Sequence, residues 1–79
     1  MGEHDVVLKE LLEIFDSKTR FILSHRRNQT EKWKKNEGNR VDNEILRWMD
    51  CIVTAVKWEK GKPVQIAVEG EPYAWGDTN

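Results

Sequence analysis

The feature that most constrains this chain is an apolar gap: residues 24 to 40, SHRRNQTEKWKKNEGNR, contain Trp33 as their only large hydrophobe. Burial of apolar side chains is the main term offsetting the entropy lost on ordering a chain, so a stretch like this has little to hold it in a core. It must project, break into a loop or be completed by another molecule. The same stretch concentrates positive charge. Residues 18 to 40 hold eight bases and two acids (net +6), residues 1 to 17 five acids and one lysine (net −4), and residues 41 to 79 seven acids and four bases (net −3). The overall charge of −1 thus conceals a basic middle between two acidic flanks.

On the N-terminal side, Asp5 reads as an N-cap, and Val7, Leu8, Leu11, Leu12, Ile14, Phe15, Phe21, Ile22 and Leu23 recur at helical spacing. The pattern predicts a long amphipathic helix over residues 5–25. Its apolar arc spans roughly 200°, wide enough to face more than one element. Unbroken continuation to Asn36 would give a rod about 48 Å long, against about 30 Å for a domain of this size. Residues 24–40 are therefore expected as a basic projecting helix end or loop, with Gly38 as a helix stop.

Asp42 reads as the cap of a second helix over 42–51, carrying Ile45, Leu46, Trp48 and Met49. Beyond it, Ile52-Val53-Thr54-Ala55-Val56 is β-branched and precedes Glu59-Lys60-Gly61, which suits a three-residue hairpin loop with a left-handed glycine. That loop pairs Val56 with Val64 and Ile52 with Val68, placing Val56, Trp58, Val64, Ile66 and Val68 on one face. The predicted fold class is α+β: two helices followed by a β-hairpin of strands 52–58 and 63–69. The alternative is an all-α helical hairpin with the second helix running to residue 59. Residues 70–79, GEPYAWGDTN, read as a tail whose Tyr73 and Trp75 fold back onto the core.

At 79 residues the chain suits one small domain and is too short for two. No apolar run approaches the roughly 18 residues of a membrane span, and the Met-Gly-Glu-His-Asp start lacks the features of a signal peptide. The lone Cys51 fits a reducing compartment. These features predict a cytoplasmic protein without membrane association.

Catalytic signals are missing from the sequence. Neither His4 nor His25 has a nucleophile motif around it, and His25 beside Arg26 and Arg27 reads as part of the basic patch. Cys51 reads as a buried filler, Glu10 and Glu13 as a solvated stripe, and no metal or nucleotide pattern occurs, so no cofactor, metal or enzymatic role is expected. The candidate binding residues are Arg20, Arg26, Arg27, Lys32, Trp33, Lys34, Lys35 and Arg40, since clustered cations with an interleaved tryptophan suit an anionic partner. Two functions follow. The first is a non-enzymatic protein-binding module, a small regulator, adaptor or inhibitor of the kind carried by phages and mobile elements. The alternative is nucleic-acid binding through residues 18–40. The wide helical stripe and the exposed hairpin edges also predict a homodimer.

Overall fold

The computed structural model describes residues 6–73. Along the chain run α1 (Leu8–Leu12), β1 (Phe21–Arg26), β2 (Lys34–Gly38), α2 (Asn43–Leu46), β3 (Ile52–Lys57) and β4 (Val64–Glu69). The strands form one sheet in the order β2-β1-β4-β3, with β1 parallel to β4 and the two outer pairs antiparallel. The result is a β-rich α+β fold, and it replaces both the expected two-helix-plus-hairpin architecture and the all-α alternative.

Phe21 and Leu23 of β1 and Val64, Ile66 and Val68 of β4 alternate inward and form the floor of the core. Leu8 and Leu12 of α1, Ile45 of α2, and Trp48 and Cys51 just beyond it cover that floor. Each of these large side chains contributes roughly 1.5–3 kcal/mol when fully buried. The opposite face carries Ile22, Ser24, Gln65 and Ala67, all half-buried, as suits a sheet with one solvated side.

The helix expected over 5–25 is corrected to the five residues of α1. Asp5, its expected cap, lies outside the described residues. Leu8 and Lys9 donate their N–H groups to the carbonyls of Cys51 and Met49 at 3.0 and 2.8 Å, satisfying donors that a first turn leaves open. Downstream, the Asp16 carboxylate accepts the N–H of Lys18 at 2.8 Å and of Thr19 at 3.0 Å. This local side-chain bonding competes with helix and turns the chain toward β1. Phe15 then meets Phe21 edge-on, with ring centroids 5.6 Å apart.

Residues 24–40 are likewise corrected: they are neither a helix end nor one long loop. Ser24–Arg26 belong to β1, 34–38 form β2, and only the segment between turns, with Asn28 Oδ1 accepting the Thr30 N–H at 2.9 Å and Glu31 Oε1 accepting the Arg27 N–H at 2.9 Å. Strand β2, KKNEG, is an edge strand, so it needs little apolar burial. Gly38 ends it where the Asp42 carboxylate occupies the space a Cβ would take. Asp42 is the N-cap residue of α2, yet its side chain makes no cap bond and instead accepts the Asn39 N–H at 3.1 Å. The second helix, expected over 42–51, is four residues long.

Strands β3 and β4 lie within the expected hairpin, but the register differs. Val56 faces Ile66 rather than Val64, and the ladder shifts between Val53 and Ala55. The loop is longer than three residues, with Lys62 N–H bonding Glu59 C=O at 3.1 Å and Gly61 at φ 81°. Trp58 consequently leaves the ladder and is 72% exposed. Gly70 and Tyr73 bond back to the backbone of Arg26 and Arg47 at 3.1 and 2.8 Å, while Trp75 lies outside the described residues.

Candidate functional site: a basic cleft beside the β2 edge

Antiparallel pairing sets His25 of β1 opposite Lys34 of β2, and α2 lies over this end of the sheet. Between them opens a cleft of about 480 Å³. Its walls combine the cations Arg26, Arg27, Lys34, Lys35 and Arg47 with the acids Glu31 and Glu44, an excess of three positive charges. His25, Asn36, Trp48 and Pro72 complete it.

His25 continues the inward alternation of Phe21 and Leu23, so it is buried at 7% exposure. Its ring stacks on Trp48 at 4.2 Å between centroids, and its Nε2 bonds Asn36 Oδ1 at 2.5 Å, which places the ring proton on Nε2. Burial holds its pKa below the usual value of 6.5, the Asn36 bond opposes this, Lys34 and Arg47 reinforce it, and Glu44 counters it. The cleft floor is therefore a stacked aromatic pair whose burial disfavours the charged imidazole.

The cations around the floor differ in how far they are already engaged. Arg26 bonds Glu69 at 2.8 Å, and its guanidinium lies 4.3 Å from the Trp33 ring centroid. Arg47 donates to the Tyr73 carbonyl at 2.9 Å. Arg27, Lys34 and Lys35 have no ion-pair partner among the described residues. Of these, Arg27 and Lys34 stand beside the His25–Trp48 floor, whereas Lys35 alternates to the open face of the sheet.

Of the eight sequence candidates, the cleft unites Arg26, Arg27, Lys34 and Lys35. Trp33 stands at its margin under Arg26, Lys32 is exposed in the preceding loop, and Arg20 pairs across the sheet with Glu37 at 3.6 Å. Arg40 follows β2, and its buried Nε has no hydrogen-bond partner among the described residues. Sequence reasoning missed Arg47, Trp48 and the inward His25. The alternation of β1 was the signal for His25; Arg47 and Trp48 reach the site only through the tertiary fold.

Burial pushes the pKa of the Cys51 thiol up to about 11 and its Sγ donates to the Glu71 carbonyl at 3.4 Å, both of which disfavour the nucleophilic thiolate. Among the described residues no cluster of His, Cys, Asp and Glu could hold a metal ion, and no helix is long and apolar enough to cross a membrane. Comparison with family models, with curated proteins and with solved structures finds no match to this chain.

Proposed function

We propose that the chain is a non-enzymatic protein-binding module, acting as a regulator, adaptor or inhibitor, that takes an acidic segment of its partner into the basic cleft. The observation that carries this reading is the convergence of Arg27 and Lys34, neither with an ion-pair partner among the described residues, beside the His25–Trp48 floor. Discrete carboxylates can reach these cations while avoiding Glu31 and Glu44, giving the charge matching that selects protein partners. The buried, unpaired-in-disulfide Cys51 suits a reducing cytoplasmic setting.

A nucleic acid is the less suitable occupant. Two acids in the cleft oppose a continuous phosphate backbone, and one face of Trp33 is already occupied by the Arg26 guanidinium. Affinity capture from the native host, with and without nuclease, separates the two classes. The expected result is a protein retained after nuclease treatment and lost with the R27E/K34E variant. Loss of all bound material on nuclease treatment would point to nucleic acid instead.

A further inference from the structure

We infer that β2 is a self-complementary edge through which a second copy of this chain adds antiparallel, joining two four-stranded sheets into one of eight strands. The sheet has two edges, β2 and β3. The outer side of β3 is partly covered, since Val7 bridges Ile52 and the Val53 N–H bonds the Val6 carbonyl at 2.8 Å. The outer side of β2 has no backbone partner among the described residues. It carries no proline and no bulge, for its pairing with β1 runs without interruption from Gly38 to Lys34, so what guards it is its short length and the charges of Lys34, Lys35 and Glu37.

Charge identifies the occupant and the register. A two-fold axis normal to the sheet preserves its faces, so only residues on the same face can meet across the seam. Centred on Asn36, the pairing sets Lys35 against Glu37 of the second copy, and Glu37 against its Lys35, on the open face beside Ser24 and Ile22. On the core face, Lys34 meets Gly38, where the Asp42 carboxylate fills the place of a side chain. Each lysine of one strand therefore faces an acid of the other. The neighbouring registers fail by the same test, because centring on Lys35 opposes two lysines and centring on Glu37 opposes two glutamates. The existing Arg20–Glu37 contact, at 3.6 Å between exposed side chains, leaves the carboxylate free to take a second cation.

The seam is short, so association is weak and concentration dependent. It stands independently of the reading of the cleft, although an acidic ligand there would compete with the second copy for Lys34. Sedimentation equilibrium of the chain alone, up to about 1 mM, reads it directly. The expected result is a monomer–dimer equilibrium that K35E or E37K each weakens about tenfold or more, by setting like charges across the seam. An equimolar mixture of the two variants, and the K35E/E37K double variant, restore opposite charges and are expected to recover association. Dispersed amide spectra of the variants check that each is folded. A wild-type chain monomeric at about 1 mM, or a dimer indifferent to the swaps or not rescued by mixing, overturns the proposal. So does a monomer whose β2 amides change only when a different protein is added, which would make the occupant a partner's strand.

Discussion

His25 and Trp48 lie ring on ring, 4.2 Å between centroids and 29° between planes, so that the floor of the cleft is also part of the core. Trp48 is 7% exposed and packs with Leu8, Phe21 and Ile45 in the buried cluster. Replacing it with alanine is expected to cost about 3–5 kcal/mol of stability. Urea denaturation measures this. Trp48→Phe should recover most of the loss while keeping an aromatic face beneath His25.

The burial of His25 in this floor makes stability depend on pH. Burial lowers the His25 pKa below its unfolded value of 6.5, so the unfolded chain binds the proton more readily. The contribution is complete above pH 6.5 and is lost as pH falls from there through the folded pKa. Unfolding midpoints measured between pH 7 and about 5 should fall with pH in the wild type and stay flatter in His25→Gln. Asp16 and Glu59, also lowered from ordinary values of 3.8 and 4.5, act in a more acidic window. An equal slope in the variant would remove His25 as the cause.

Gly38 and Asp42 should prove strongly coupled. A Cβ at residue 38 collides with the Asp42 carboxylate, so Gly38→Ala is expected to destabilise by about 1–3 kcal/mol. In an Asp42→Ala background the collision is gone, and the same substitution should cost much less. A double-mutant cycle by chemical denaturation yields the coupling, and strict additivity would contradict the contact.

Arg26 joins the open face to the loop before β2 by its bond to Glu69 and its stacking on Trp33. Arg26→Ala is expected to cost about 1–2 kcal/mol and to leave Trp33 more accessible to a fluorescence quencher. Arg26→Lys, lacking the planar fork, should restore only part of both effects.

Much of this architecture was hidden in the sequence because the two sheet edges and the two faces carry mixed signals. Ile22 is apolar yet lies on the open face, and His25 is polar yet points inward, so β1 presents Phe21-Ile22-Leu23 as an apolar run that also fits a helix. Joined to Leu8, Leu11 and Leu12 it gave an arc too wide for one helix, which reflects two elements of different period. Strand β2 was illegible for the opposite reason: as an edge it has almost no apolar residue to show. The β-branched run of β3 and the alternation of β4 were readable, whereas the bulge near Thr54 depends on packing and was not. At the site, the basic residues on either side of the β1–β2 turn were visible as a cluster. Arg47 and Trp48 were not, because only the placement of α2 beside β2 brings them there.

The proposed docking of acidic protein segments in the cleft is read residue by residue in an amide titration. The isotope-labelled chain is titrated with a short glutamate-rich peptide at about 50 mM salt, and in parallel with short single-stranded DNA. The predicted result is peptide-induced shifts at His25, Asn36 and the Trp48 indole, with affinity about tenfold weaker in R27A/K34A. Shifts confined to the open face of the sheet, equal affinity in the variant, or a response to DNA alone would contradict it.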